Sequence, residues 1–456
     1  MSDLQQTAWP LKFRVLKFVC LAIGCLAKFV TGSFFVFNVY QEEIKTTFNL
    51  TQKEVEVQSS LMNIGLGVGI IPGILYDKFG PSWTSAAGMV VSVGAYLLLW
   101  STPKFPEFYG RNSWLMAVYF FLCGLGSVFT YMVALNTNVI NFESKHRGLI
   151  VGILNAFFCG SPAAFSLVYY RGLNGDRKFA DFMLIFAVCF AFVDILCIVF
   201  LRIYPSPPQN ESTFLITSDA TVEEDSPTTS EISHQSQTLK EDKSSENADF
   251  SFCNEAEDSQ NDKIKKEPAI SSSEYKETLT FKQLLLNVDY HLFTWMFVLA
   301  ASVGLTFVNN ITVIAKSQHL DQYNGSLVLI VPISGAAISI LIGLLSDLYR
   351  DKVSRITILI CLCICLVVSQ LIILLFGNMY PLLILGTLVC GLGIAALWSL
   401  CPAVMSEHFN LHNLGRNWGI AIFLAAVLGL LTQVMFGVVY DAHAIKGTLD
   451  CFGMDC

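Results

Sequence analysis

Long continuous apolar runs are the feature of this sequence that most restricts its fold. Eleven runs reach bilayer-spanning length: 15–39, 57–76, 84–101, 114–141, 148–170, 181–203, 288–314, 326–346, 355–377, 380–404 and 416–440. A helix needs about 20 apolar residues to cross the hydrocarbon core. The runs lack the alternating segments of about ten residues that are typical of outer-membrane strands. We therefore predict an all-α, multi-pass integral membrane protein with six spans followed by five.

A polar segment separates the two groups of spans. Residues 205–281 contain seventeen acidic and six basic side chains, and no apolar run long enough to fold. We interpret this segment as a disordered acidic linker between an N-terminal six-helix bundle at 1–204 and a C-terminal five-helix bundle at 282–456. Its net charge is −11, whereas that of the whole chain is −8, so the acidic composition carries no information about a substrate.

A short charged signature occurs at matching places in the two groups. The first copy, Gly-Ile-Leu-Tyr-Asp77, recurs as Gly-Leu-Leu-Ser-Asp347. Asp77 lies 70 residues before Arg147, and Asp347 lies 69 residues before Arg416. Nearly equal spacing in two membrane-embedded halves indicates a duplicated bundle, which is an architecture typical of secondary transporters.

The repeated charges are predicted to control opening of the bundles on one face. A carboxylate at a helix end is stabilised by a nearby guanidinium and by helix N-termini. We expect Asp77 to pair with Arg147 or Lys145, and Asp347 with Arg416, each within its own half. The alternative is simple topological anchoring without a gating role. The predicted gating residues are Asp77, Lys78, Arg147, Asp347 and Arg416.

Two ionisable residues lie inside apolar runs. Lys28 lies in the middle of the first run, where a buried ammonium costs about 3 kcal/mol even on the lenient insertion scale. We predict that it contacts a substrate carboxylate; a structural ion pair or a neutral lysine are the alternatives. Asp194 in the sixth run is a candidate for proton coupling, although its place in a supporting helix favours a hydrogen-bonded scaffold role.

Amide and aromatic side chains complete the predicted substrate site. They are Asn136 on the fourth run, Asn155 on the fifth, Asn309 and Asn310 on the seventh, and Trp398 on the tenth. Buried amides in a bilayer also hold helices together by hydrogen bonds, and that reading stays open for each asparagine.

Two sequons and two terminal cysteines bear on orientation. The sequons at Asn49 and Asn324 fall on one side of the predicted topology, and the acidic linker falls on the other. We therefore predict glycosylation at both asparagines, with the N-terminus and the linker cytosolic. Cys451 and Cys456 fall on the predicted external side, where an oxidising environment would allow a disulfide between them or from one of them to another cysteine. The remaining cysteines lack the spacing of a metal site, and neither a metal nor a cofactor is predicted.

Four sequence segments indicate a family. They are Tyr76–Pro81 leading into Trp83, Arg147–Leu154 after Asn141, Gly304–Asn310, and Leu397–Pro402. Together they resemble the major facilitator superfamily, and within it the nodulin-like branch, which includes fungal monocarboxylate-permease-like proteins. The resemblance implies a twelve-helix fold whose two six-helix bundles rock around a central site. The chain contains eleven predicted spans, so the expected twelfth is absent.

Several functions agree with this sequence. The first is a secondary active or facilitative transporter of a small organic solute, with a monocarboxylate as the candidate substrate and protons as a candidate coupling ion. An amino acid or another neutral solute is an alternative substrate. A third reading is a transport-inactive truncated isoform with a receptor or regulatory role. We do not expect an enzyme, a nucleotide-driven pump or a nucleic-acid partner, because the sequence shows no interpretable catalytic group and no phosphate-binding loop after a strand.

Overall fold

The computed structural model of the chain describes residues 11–173, 175, 177–204 and 281–443, and the regular elements in these ranges are all helical. The helices are α1 (Leu11–Gly32), α2 (Phe37–Phe48), α3 (Gln52–Gly67), α4 (Ile70–Ser101), α5 (Pro106–Arg111), α6 (Ser113–Asn141), α7 (Arg147–Leu167), α8 (Lys178–Phe200), α9 (Phe281–Leu286), α10 (Val288–Ser317), α11 (Asn324–Leu348), α12 (Arg355–Phe376), α13 (Tyr380–His408) and α14 (Leu414–His443). The predicted linker, apart from its last residue, and Cys451 and Cys456 lie outside the described residues.

Ten helical segments in the described ranges are long and apolar enough to cross a bilayer. One of them, Val57–Lys104, has 48 residues, about twice the length that one crossing needs. It is broken at Gly80, whose backbone has φ 77° and ψ −175°, and Pro81 follows. A proline and a glycine in this conformation end a regular helix. The long segment therefore supplies two crossings and accounts for the separate runs predicted at 57–76 and 84–101.

The chain reverses direction at this break. Before it, the chain follows α6 in parallel, since Gly65 lies against the Phe121 backbone and the Tyr76 hydroxyl lies 3.0 Å from that of Thr137. After the break the order of contacts is reversed. Gly88 lies against Phe129, and Gly126 lies against Ser92.

The helices within residues 11–204 form the N-terminal bundle, and those within residues 281–443 form the C-terminal bundle. In the N-terminal bundle α6 packs on α3, α4 and α1, and α8 packs on α4 and α1. In the C-terminal bundle α13 packs on α12 and α10, and α14 packs on α10. Helices pack across the two bundles at two places: α7 packs on α11 and α13, and α14 packs on the α3–α4 segment. One buried apolar cluster extends from α6 and α7 into the C-terminal bundle, so the seam between the bundles is part of the core.

The outer faces of the helices are apolar. Phe192 of α8 and Val367 of α12 are each 60% exposed, and Trp83 is 70% exposed beside the reversal at Gly80. A soluble protein rarely exposes large contiguous apolar surfaces. Tryptophan is enriched at the membrane–water interface. This apolar outer surface is therefore suited to contact with the lipid bilayer.

Candidate functional site

Lys28 of α1 points into the protein and is 1% exposed. Its Nζ lies 2.9 Å from the centroid of the Tyr131 ring on α6 and 5.7 Å from that of Phe158 on α7. In the described part of the chain, no aspartate or glutamate forms an ion pair with it. The Cys25 and Cys159 thiols are near enough to interact with it electrostatically. Aromatic faces stabilise a charged ammonium, and the ammonium form carries three donors and no acceptor, which suits an anion.

Asn155 of α7 holds the two bundles together beside this lysine. Its Nδ2 donates to the Ser339 hydroxyl of α11 at 2.8 Å, and it lies 3.2 Å from both the Ala395 carbonyl and the Ser399 hydroxyl of α13. Cys159, one turn along α7, interacts with both Ser339 and Lys28. The polar contacts of Asn155 lie at the seam between the bundles, and the amine of Lys28 lies near the next turn of α7, at Phe158 and Cys159.

Trp398 lies in an aromatic cluster on the C-terminal side of the seam. Its ring packs edge-on against Phe297 at 5.2 Å and against Trp418 at 5.9 Å between centroids. The neighbouring Ser399 is the residue that contacts Asn155. The ring contacts of Trp398 thus lie within the C-terminal bundle, one residue before the serine that contacts Asn155 across the seam.

The three other predicted amides do not join this group in the described contacts. Asn136 is fully buried, neither of its amide atoms has a hydrogen-bond partner in the described structure, and its Nδ2 faces Gly415 of α14. Asn309 is exposed. Asn310 donates to the Thr306 carbonyl of its own helix at 2.8 Å.

Asp77 contacts the beginning of α14 in the other bundle. Its two carboxylate oxygens accept hydrogen bonds from the Gly415 amide at 3.1 Å and from the Arg416 amide at 2.7 Å. The first amides of a helix have no partner within the helix, and the helix dipole favours an anion there. We call this contact the first latch.

Asp347 makes the equivalent contact from the C-terminal bundle to a helix of the N-terminal bundle. Its carboxylate accepts hydrogen bonds from the Gly148 amide at 3.1 Å and the Leu149 amide at 2.8 Å, in the first turn of α7. We call this contact the second latch. The two latches are related by the pseudo-symmetry that the repeated signature predicts, and both lie on the same face of the molecule.

The predicted pairing within each half is wrong. The Arg147 guanidinium instead contacts the Phe142 carbonyl and the Ser406 hydroxyl, each at 3.4 Å. The Arg416 guanidinium carbon lies 4.8 Å from the Phe281 ring centroid, and its Nε lies 3.3 Å from Asn417 Oδ1. Lys78 is exposed. The carboxylates bind backbone amides of the opposite bundle, because two free N–H groups at a helix N-terminus form a better-matched site than one mobile side chain.

Glycines allow the bundles to approach closely at both latches. A Cβ atom on Gly73 would overlap the backbone of Gly415, and a Cβ atom on Gly343 would overlap the backbone of Gly148. A Cβ atom on Gly148 would in turn overlap the Gly343 carbonyl and the Asp347 side chain. The glycine of each signature therefore has a packing reason: two backbones meet there with no room for a side chain.

The second latch contains an ion network that the sequence analysis missed. Arg355, at the start of α12, is 4% exposed and contacts both Asp347 and Glu407. Ser144 donates its hydroxyl to Glu407, and its carbonyl accepts from Arg355 at 3.1 Å. Two features of the sequence pointed to this network: Glu407 just after the apolar run 380–404, and Arg355 at the start of the run 355–377.

Asp194 lies inside the N-terminal bundle and is fully buried. The Thr130 hydroxyl of α6 donates to its Oδ1 at 2.8 Å. This carboxyl is on α8, away from the seam at which Asn155 lies.

Both sequons lie on the face opposite the latches. Asn49 is exposed and ends α2 in a left-handed conformation with φ 50°. Thr51 of the same sequon caps α3 through a reciprocal hydrogen-bond pair with Glu54. Asn324 is the first residue of α11, whose other end carries Asp347.

Comparison with known proteins agrees with this arrangement. The family model of the Major Facilitator Superfamily matches residues 21–432. The probable transporter mch1 of Emericella nidulans is 25% identical, over 97% of this chain and 82% of that protein. The protein of the same name from Aspergillus fumigatus is 22% identical, over 94% of this chain and 78% of that protein.

Solved structures share the fold. The outward-conformation structure of the transporter FucP has a TM-score of 0.60 at 11% identity, covering 94% of this chain and 93% of its own. The structure of the proton:xylose symporter XylE has a TM-score of 0.59 at 12% identity, and the match covers 93% of this chain and 89% of XylE. With the family match over most of the chain and two bundles joined at paired latches, the chain is a multi-pass transporter and belongs to the major facilitator superfamily.

Proposed function

We propose that this protein carries small monocarboxylates across the membrane by alternating access, with Lys28 as the contact for the carboxylate. The observation that carries this proposal is the buried amine of Lys28, which faces aromatic rings and forms no ion pair with an acidic side chain in the described residues. An isolated charge at this depth is costly, and a substrate anion would compensate it. Asn155 and Trp398 on the facing helices are the proposed polar and aromatic walls of the site.

The latches supply the proposed gate. In the structure the bundles are closed on the latch face, so access to Lys28 from that face requires both carboxylates to leave the opposing helix N-termini. Asp77 and Asp347 are then the residues that hold the closed state, in the manner of other two-state interfaces. We further propose that the latch face is cytosolic, with the N-terminus and the linker, and that Asn49 and Asn324 face outside as glycosylation sites.

Proton coupling is part of the proposal. The FucP and XylE structures are described as those of proton symporters, and Asp194 is a fully buried carboxyl among the described residues that we propose to carry the proton. A proton moving with a monocarboxylate would make the transport cycle electrically neutral.

The test is uptake into proteoliposomes of a panel of labelled monocarboxylates and amino acids, with and without an inward proton gradient. Saturable carboxylate uptake that Lys28→Gln removes would support the proposal. Uptake of amino acids alone would favour the neutral-solute alternative. The absence of uptake of any compound by well-folded protein would contradict a transport role for this chain and favour the receptor reading.

A further inference from the structure

Trp418 of α14 is a fully buried indole with an unused hydrogen-bond donor. Its side chain is 0% exposed, and its Nε1 has no hydrogen-bond partner among the described residues. The N–H group of a buried tryptophan usually has a partner, and buried polar atoms in general are paired with protein or with ordered water. A donor left over in this position therefore indicates a group that binds there from outside the chain.

The indole of Trp418 lies where α14 meets the N-terminal bundle. Gly69 lies against both Gly419 of α14 and the Met132 side chain of α6. Trp418 and Tyr131, which precede these two residues in sequence, are therefore at the same level of the seam. The Tyr131 hydroxyl lies close to the Trp418 indole N–H, without the geometry of a hydrogen bond. The unused donor is thus at the boundary between the two bundles.

Tyr131 also contacts Lys28, so it brings two donors close together. The Lys28 Nζ lies 2.9 Å from the centroid of the Tyr131 ring, over the face of that ring, whereas the Trp418 indole lies near the hydroxyl at its edge. The two nitrogens are therefore separated by little more than one phenol group. The ammonium and the indole N–H are donors without any acceptor. A ligand that contacts both has to present two acceptor atoms at short spacing.

This spacing restricts the chemistry of the ligand. An N–H donor and its oxygen acceptor are about 2.7 to 3.2 Å apart. If a carboxylate accepts from Lys28, the acceptor for Trp418 has to be near that carboxylate, and an oxygen on the adjacent carbon meets this requirement. Acids with a 2-oxo or a 2-hydroxy group carry such an oxygen. An unsubstituted acid leaves the buried indole N–H without a partner, and a site with an unpaired buried donor discriminates against such a ligand.

We infer that the indole N–H of Trp418 is a second substrate contact, and that it selects carboxylic acids with an oxygen on the carbon next to the carboxylate. The inference rests on the proposed function, since it takes Lys28 as the contact for the carboxylate. Lys28 belongs to the N-terminal bundle and Trp418 to the C-terminal bundle. A 2-oxo or 2-hydroxy acid therefore binds to both bundles at once and favours their closure around it.

The test compares the affinities of the full chain in lipid nanodiscs for pyruvate and for propionate, which differ in the 2-oxo group, at a pH at which both are ionised. We expect the native protein to bind pyruvate more tightly by roughly 2-fold to 12-fold, as one hydrogen bond implies. Trp418→Phe should bring this ratio to about one. Trp295→Phe is the matched control, because it makes the same change at a 46% exposed position of the same bundle. An equal ratio in native protein and Trp418→Phe would overturn the inference.

A spectroscopic readout on the native protein covers the case in which Trp418→Phe does not fold. Ultraviolet resonance Raman spectroscopy detects hydrogen bonding of an indole N–H, and we expect pyruvate, but not propionate, to shift this band of one tryptophan. The same response to both acids would overturn the inference.

The variants also separate this inference from the proposed function. Lys28→Gln that binds both acids as tightly as the native protein, with the preference for pyruvate retained, would refute the proposed role of Lys28 and leave the Trp418 contact standing. Weakened binding of both acids by Lys28→Gln, with an unchanged pyruvate preference in Trp418→Phe, would refute only the Trp418 contact.

Discussion

Gly148 at the second latch gives the sharpest prediction about how the bundles close. Gly148→Ala adds one Cβ atom, which would overlap the Gly343 carbonyl and the side chains of Ser346 and Asp347. The Gly343 carbonyl is part of the α11 backbone and cannot move aside, and the Asp347 carboxylate can move only by breaking the hydrogen bonds of the latch; the Ser346 hydroxyl is the one atom of the three that can rotate away. The latch-closed state is therefore destabilised, whereas the state with separated bundles has room for the methyl group.

The size of the effect follows from the overlap. Forcing one extra methyl group into a packed contact costs roughly 1 to 3 kcal/mol. A difference of about 1.4 kcal/mol changes an equilibrium constant tenfold. We therefore expect the ratio of open to closed latch to rise by about 5-fold to 150-fold.

Pulsed electron paramagnetic resonance can measure this ratio. Spin labels at Lys145→Cys and Lys352→Cys, two exposed positions on either side of the latch, would report a longer distance when the bundles separate. The other cysteines would first be replaced. Gly160→Ala is the control, because it lies on the same helix and a Cβ there has no neighbour within 4 Å. Identical distance distributions in the two alanine variants would refute the reasoning.

Three other substitutions have defined outcomes. Asp77→Asn removes the charge from two hydrogen bonds of about 1.5 to 3 kcal/mol each, so labels across the first latch should move apart, and an unchanged distance would contradict a latch role. Glu407→Gln removes one of the two carboxylates that compensate buried Arg355, so thermal unfolding in detergent should occur at a lower temperature; an unchanged Tm would show that the network contributes little. Gly80→Ala forces a side chain into φ 77° at about 1 to 3 kcal/mol, and should lower Tm, unlike Gly94→Ala, where a Cβ meets no neighbour.

The membrane crossings could be predicted from the sequence because their signal is local. Continuous apolar runs give the helices, and the gap between the runs at 57–76 and 84–101 marks the reversal that the structure places at Gly80 and Pro81. The repeated signature likewise gave a correct pseudo-symmetry. The runs and the break depend only on residues close together in sequence, so the physical preference of each residue is enough to place them. The pseudo-symmetry required only the comparison of two short segments.

The partners of the signature could not be predicted in the same way. Asp77 and Asp347 have equal spacing to an arginine in their own half, but they bind backbone amides in the other half. Backbone donors have no sequence signature of their own, and which helix N-terminus faces a carboxylate depends on how the bundles dock. Asn136 shows the same limit, because its position on α6 suggested the substrate site, whereas its amide faces Gly415 at the first latch.

The direct test of the central proposal compares the affinity for a monocarboxylate with that for its uncharged amide, in the native protein and in Lys28→Gln. Because the charge of Lys28 is proposed to recognise the carboxylate, the native protein should prefer the acid by at least about tenfold, as expected for one charge-assisted hydrogen bond. The Lys28→Gln variant should bind both compounds alike. An equal preference for the acid in both proteins would contradict the proposed role of Lys28.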